Sequence, residues 1–74
     1  MLKPAGTIFG VLTSREIDIV IGTAGNLTNK EIARQLHLMP ETVKWHLKNI
    51  LRKLGCTTRS EAVQQAIALG LTIA

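Results

Sequence analysis

A helix-initiating pattern, Thr-x-x-Glu, occurs three times in this chain and indicates where helices begin. The three copies start at Thr13, Thr28 and Thr58. In this pattern the threonine hydroxyl accepts a hydrogen bond from the backbone N–H of the glutamate, and the glutamate carboxylate accepts one from the threonine N–H. Apolar residues at helical spacing follow each copy. The sequence therefore predicts three helices, each beginning directly after its threonine.

A further helix is predicted from Pro40 to Leu54. Proline suits the first helical position, where its missing N–H would be unpaired in any case. Apolar residues at helical spacing form an apolar stripe along this segment: Val43, Leu47, Ile50 and Leu54. Only residues 37–39 separate this helix from the one predicted at 29–36. Two helices with so short a connection are typical of a helix-turn-helix.

Glycines mark the predicted ends of three helices. Gly25 follows the helix predicted at 14–24, where a left-handed residue would end it, and Gly55 and Gly70 end the last two helices. We therefore predict an all-α fold of four helices and no strand.

The chain has room for one domain. Its 74 residues are 46% hydrophobic but only 3% aromatic, so leucine, isoleucine, valine and alanine must fill the core. Residues 1–11 contain Pro4, Gly6 and Gly10 and show no helical periodicity. We predict that they form a flexible lead-in or a linker remnant, and that the domain comprises residues 12–74.

Several classes of function are disfavoured by the residues present. Cys56 is the single cysteine, so no internal disulfide is expected, and no cysteine and histidine cluster suggests a metal site. Asp18 is the single aspartate, and no catalytic triad, carboxylate pair or glycine-rich phosphate loop occurs. No segment reads as a secretory signal or a membrane span. We expect a cytoplasmic protein that is not an enzyme and binds no cofactor, metal or membrane, with Cys56 packed beneath the last helix.

Positive charge is concentrated in the middle of the chain. The formal net charge is +4, and seven cations lie between residues 26 and 60: Lys30, Arg34, Lys44, Lys48, Arg52, Lys53 and Arg59. On the helix at 40–54, the face opposite the apolar stripe begins with Glu41 and continues with Lys44, Trp45, Lys48 and Arg52. We call the last four, Lys44, Trp45, Lys48 and Arg52, the basic ridge. Such a ridge favours a polyanionic partner.

Four fragments of the chain, taken in order, form a pattern known from other proteins. They are Leu12-Thr13-x-Arg15-Glu16, Gly25-x-x-Thr28-Asn29-Lys30-Glu31-Ile32-Ala33, Thr42-Val43-Lys44-x-His46-x-x-Asn49-Ile50-x-x-Lys53-Leu54-Gly55, and Arg59-x-Glu61-Ala62-Val63. Together they closely resemble the LuxR/GerE-type DNA-binding domain. The resemblance implies a four-helix output domain of bacterial transcription regulators, in which the second and third helices form the helix-turn-helix. The run from Trp45 to Ile50 is also similar to C-terminal domains of large MalT-like regulators.

The resemblance implies roles for residues of the helix-turn-helix. The third helix enters the major groove of double-stranded DNA, with base contacts expected from Lys44, Trp45 and Lys48. Phosphate contacts are expected from Asn29, Lys30, Thr42, His46, Arg52 and Lys53. RNA polymerase is a further candidate partner.

The last helix is often the dimer contact in domains of this type. Here Val63 and Ile67, flanked by Ser60 and Gln64, would form a second small apolar strip outside the core. We expect a monomer that pairs weakly on DNA, at inverted half-sites about one helical turn apart.

Two departures from the family pattern and two alternatives accompany this interpretation. Met39 stands where the family often has a capping serine or threonine, and Trp45 is bulky for its position.

The alternatives are a protein-interaction module of the same fold, which acts on a regulator or RNA polymerase without DNA contact, and a helix-turn-helix of sigma-factor type. The sequence leaves open the target site, the controlling signal and the choice between activation and repression.

Overall fold

The computed structural model describes residues 2–3 and 6–73, with side chains described for residues 6–71. Its elements, in chain order, are β1 (Leu2–Lys3), α1 (Ile8–Val11), α2 (Ser14–Ala24), α3 (Asn29–Leu36), α4 (Pro40–Leu54), α5 (Arg59–Ala68) and β2 (Thr72–Ile73). The all-α fold class is confirmed, and α2 to α5 are the four predicted helices.

The prediction of a flexible lead-in is wrong for Ile8–Val11. These residues form α1, and Ile8 is fully buried in the core. A helix of four residues is too short to show a helical period, so burial of Ile8, rather than local pattern, holds it in place. Residues 1, 4 and 5 of that predicted lead-in lie outside the described residues.

The prediction of no strand is also wrong at the two ends of the described chain. Strand β1 pairs antiparallel with β2, Leu2 opposite Ile73 and Lys3 opposite Thr72. Two residues cannot show the alternation by which a strand is recognised. The pairing joins segments from opposite ends of the sequence, and local pattern carries no information about it.

Capping boxes start α2 and α3 as predicted. The hydroxyls of Thr13 and Thr28 each accept a bond of 3.2 Å from the N–H of the glutamate three residues later. The carboxylates of Glu16 and Glu31 accept bonds of 2.8 and 2.9 Å from the threonine N–H groups. At α5 only half of the box forms. The N–H of Glu61 donates to the Thr58 hydroxyl, but the carboxylate accepts from hydroxyls, including that of Thr58 at 3.0 Å.

The helix ends differ from the prediction at one glycine. Gly55 is left-handed at φ 66° and ends α4, but Gly25 has φ −82°, and the left-handed residue there is Asn26 at φ 63°. Asparagine tolerates this conformation because its short amide side chain can form local hydrogen bonds. At the end of α3, His37 is left-handed at φ 56°.

The core lies where the helices meet, and it includes the inner face of α4. Its fully buried large side chains are Ile8, Ile19, Val20, Ile32, Val43, Ile50 and Leu71. The predicted apolar stripe is therefore confirmed as the packed face, with Leu54 partly buried at its end. Burial of this stripe determines which side of α4 faces outward.

A glycine allows the close approach of α2 to α3. A Cβ atom at Gly22 would lie 2.8 Å from Cγ1 of Ile32, closer than carbon atoms pack. Because Ile32 is itself buried in the core, it has little room to move. Gly22 thus brings the first helix of the helix-turn-helix against the helix that precedes it.

Candidate nucleic-acid interface

Helices α3 and α4 are joined by residues 37–39, and Pro40 is the first residue of α4. Met39 is the N-cap residue, with an extended backbone, an exposed side chain and no side-chain cap bond. The missing hydroxyl cap is the departure expected from the sequence. Pro40, which has no N–H to cap, and Glu41 in the first turn both suit this helix start.

The basic ridge of α4 faces solvent. Lys44, Trp45, Lys48 and Arg52 are all exposed. Trp45 is 61% exposed, which confirms its predicted outward orientation, and its ring contacts that of His46 edge to face with centroids 5.0 Å apart. The apolar ring of Trp45 is thus in water beside three cations. The basic ridge presents an aromatic face and donor groups together.

The C-terminal half of the basic ridge is ordered by a side-chain hydrogen bond. Nη2 of Arg52 donates to Oδ1 of Asn49 at 2.8 Å. This bond leaves the remaining guanidinium donors available, because arginine carries five N–H groups. His46 and Thr42, two of the predicted phosphate contacts, are partly buried on the flanks of α4.

The start of α3 carries the two other predicted phosphate contacts. Lys30 is exposed, whereas Asn29 is partly buried, and its Oδ1 is buried without a hydrogen-bond partner. Since Oδ1 only accepts, a contact between Asn29 and a phosphate would have to come from the Nδ2 group. Asn29 and Lys30 are the first two residues of α3, and the free backbone N–H groups at a helix N-terminus also favour an anion.

Lys53 differs from the other predicted phosphate contacts. Its Nζ lies 2.7 Å from Oε1 of Glu16, whose side chain is only 5% exposed. Burial raises the pKa of Glu16, but the hydrogen bonds from Lys53 and from the Thr13 N–H, with the charge of Lys53, together lower it below its ordinary value. Glu16 was predicted only as a helix cap. The local sequence pattern gave no indication that Glu16 pairs with Lys53, which is 37 positions away.

Arg59 is a structural residue that sequence reasoning missed. Its Nη2 donates to the backbone carbonyl of Leu27 at 3.1 Å, across 32 residues of chain. The bond fastens the start of α5 to the loop before α3. Arg59 belongs to one of the recognised fragments, but nothing in that fragment indicates the carbonyl it binds.

The predicted dimer residues lie together on α5. Ala62 and Ala66 are buried, Val63 is partly buried, and Ile67 is 49% exposed. Ser60 and Gln64 are exposed beside them. The small apolar strip thus lies outside the core, as its spacing predicted.

Other chemistry has little support among the described residues. Cys56 packs partly buried against the core as predicted, and burial, with the charge of Glu61, raises the pKa of its thiol. In residues 2–3 and 6–73, no three side chains of the metal-binding types cluster together. Within the same ranges, no helix combines the length and apolar composition needed to cross a bilayer.

The fold and the exposed basic ridge define a helix-turn-helix domain of the DNA-binding class. Residues 10–66 match the family model described as bacterial regulatory proteins, luxR family. The chain belongs to this family, whose members are DNA-binding transcription regulators.

Curated relatives share the domain but are much longer. The chain is 46% identical over 54 residues to the nitrate/nitrite response regulator protein NarP of Escherichia coli, covering 73% of this chain and 25% of NarP. It is 42% identical over 60 residues to the HTH-type transcriptional regulator AlkS of Alcanivorax borkumensis, covering 81% of this chain and 7% of AlkS. It thus spans a quarter or less of these two relatives.

A solved structure shares the fold. The response regulator ChrA of a heme-sensing two-component system superposes with a TM-score of 0.74 at 33% identity. The match covers 89% of this chain and 31% of ChrA.

Proposed function

We propose that this chain binds double-stranded DNA as the output domain of a bacterial transcription regulator, with α4 in the major groove. The observation that carries the proposal is the division of α4 into a buried apolar stripe and an exposed basic ridge. Helix-turn-helix proteins read bases with the N-terminal part of this helix. Because the proposed partner is chromosomal DNA, we place this function in the bacterial cytoplasm.

Within this proposal, the side chains of the helix-turn-helix that contact DNA divide into two groups. Lys44, Trp45 and Lys48 face base edges, since lysine can donate to the O6 and N7 atoms of guanine and an apolar ring suits the thymine methyl group. Phosphate contacts come from Asn29, Lys30, Thr42, His46 and Arg52. These contacts set the register of the domain on the duplex, and the first group supplies the sequence preference.

DNA binding should depend steeply on salt, because phosphate neutralisation dominates it. With roughly 6 to 10 phosphates engaged per dimer, the slope of log K against log salt should be about −0.9 per contact. The experiment first selects bound duplexes from a random pool and then measures affinity for the selected site across a salt series. Affinity independent of salt would contradict the proposal. Failure to retain any duplex would favour the protein-interaction module, with RNA polymerase as a partner to test.

We further propose that two copies pair on DNA through α5. The strip formed by Val63 and Ile67 is too small for a strong dimer, so pairing would need two adjacent half-sites to bring the copies together. Self-complementary contact through one helix suits a two-fold axis, and hence inverted half-sites about one turn apart.

Val63→Glu should abolish cooperative binding to a duplex with two half-sites while the domain stays folded. The added charge would face its own copy across the two-fold axis, and we expect the cooperative gain, about 5- to 150-fold, to disappear. The matched control is Gln65→Glu, which adds the same charge to an exposed position of α5 away from the strip. Duplexes with one and with two half-sites are compared by fluorescence anisotropy. Unchanged cooperativity in Val63→Glu would place the dimer contact elsewhere.

A further inference from the structure

A buried carboxylate lies directly behind the proposed DNA-binding face. Oε1 of Glu16 accepts hydrogen bonds from the Thr13 N–H at 2.8 Å and from Nζ of Lys53 at 2.7 Å. A shallow depression between the start of α2 and the outward side of α4 has Glu16 and Lys53 in its lining, together with Trp45, His46, Asn49 and Arg52. Two of these four belong to the basic ridge.

An unneutralised carboxylate at this position would oppose DNA binding. Phosphates approaching Arg52 or His46 would meet a negative charge at short range, in surroundings from which water is partly excluded. In the folded chain Glu16 is held ionised, because the hydrogen bonds from Lys53 and the Thr13 N–H, with the charge of Lys53, lower its pKa against the opposing effect of burial. The carboxylate is nevertheless retained as the cap that closes the capping box of α2. Something must therefore balance its charge when DNA is bound.

Lys53 is the cation placed to do so. Within the described part of the chain, the Lys53 to Glu16 contact is the one ion pair, and the Lys53 side chain is 37% exposed whereas that of Glu16 is 5% exposed. By contrast, no carboxylate of the described residues lies within salt-bridge distance of Lys30, Lys44 or Lys48.

We propose that Lys53 is an internal counterion that neutralises Glu16 behind the DNA-binding face, and that it does not bind phosphate. The inference rests on the proposed function, because it concerns the electrostatics of DNA binding. It removes Lys53 from the phosphate contacts expected from its position in the family pattern. It also makes a pair of residues on α2 and α4, rather than one lysine, the unit on which affinity depends.

The test is a mutant series on the whole chain: wild type, Lys53→Met, Glu16→Gln/Lys53→Met, and Lys30→Met. The probe is a labelled random-sequence duplex about 30 base pairs long, roughly three helical turns. Affinity is measured by anisotropy at several salt concentrations, and circular dichroism confirms folding. Glutamine at position 16 can still accept the cap hydrogen bond from Thr13, so the double variant removes the pair of charges without removing the cap.

An internal counterion predicts loss and recovery. Lys53→Met should weaken duplex binding about 3- to 10-fold, because the Glu16 carboxylate, no longer neutralised, would repel the DNA phosphates. The double variant should return to within about 2-fold of wild type and keep the wild-type salt slope, whereas Lys30→Met should lower the slope by about 0.9. If Lys53 is instead a phosphate ligand, the double variant will stay weak, and its slope will fall as in Lys30→Met; that result would overturn the inference.

Folding defects do not block the test. Should Lys53→Met leave Glu16 unpaired and unfold the chain, the double variant decides the question alone, because it contains no unpaired buried charge. Glu16→Gln/Lys53→Gln, a neutral pair able to hydrogen-bond, repeats the measurement. A wild-type chain that binds no duplex would overturn the proposed function and this inference together, whereas a reduced slope in the double variants alone overturns only the inference.

Discussion

Replacing Lys48 by alanine is expected to weaken binding to the selected site by about 1 to 3 kcal/mol, or roughly 5- to 150-fold. The preference at one or two base positions should relax at the same time. Lys48 is exposed in the middle of the basic ridge, one turn after Lys44 and next to the buried Leu47. If α4 enters the major groove as proposed, the ammonium group of Lys48 can donate to the guanine acceptors, whereas the methyl group of alanine cannot.

The control for Lys48→Ala is Lys30→Ala, the same change at an exposed lysine on α3. If Lys30 contacts phosphate, its loss should weaken binding to the selected site and to random DNA about equally. Both variants are titrated against both duplexes, and the ratio of the two affinities is compared. A Lys48→Ala chain that keeps the full wild-type ratio would show that other residues read the bases.

The sequence predicted best where local chemistry decides the structure. The capping boxes at Thr13 and Thr28, Pro40 and the apolar stripe each act within a few residues, and the helices they predict are present. Gly25 shows the limit of this approach, because glycine permits a left-handed backbone without requiring it. Asn26, the next residue, has that conformation instead.

Contacts between distant parts of the chain were beyond prediction. The pairing of β1 with β2, the Glu16 to Lys53 ion pair and the bond from Arg59 to Leu27 all join residues more than 30 positions apart. In each case the residue type suits several partners, and only the packing of the helices selects one. This is why the family pattern grouped Lys53 with the phosphate contacts, while the structure pairs it with a carboxylate.

Packing and recognition are coupled on α4. The helix has one face that must be buried, so its rotation about its own axis is set by residues in the core. The outward direction of Trp45 and Lys48 therefore depends on the side chains behind them. A change in the core should act on DNA binding through the stability and orientation of this helix.

Ile50→Ala tests this dependence most strongly. Ile50 is completely buried on the inner face of α4, and truncation of a buried isoleucine typically costs about 2 to 5 kcal/mol through lost burial and the cavity left behind. A domain of this size has a free energy of unfolding of only about 4 to 11 kcal/mol. We therefore expect the melting temperature to fall by roughly 10 °C or more, with DNA binding lost where the domain unfolds.

Ile67→Ala is the matched control for Ile50→Ala, because it removes the same atoms from a side chain that is 49% exposed on α5. About half of that residue's surface is already in water, and alanine is the better helix former, which offsets part of the lost burial, so we expect a change within about 0.5 kcal/mol. Thermal and urea unfolding of both variants, followed by circular dichroism at a concentration where the chain is monomeric, gives the two free energies. Similar losses at both positions would mean that Ile50 is not the buried side chain described, and α4 would then present a different face to DNA.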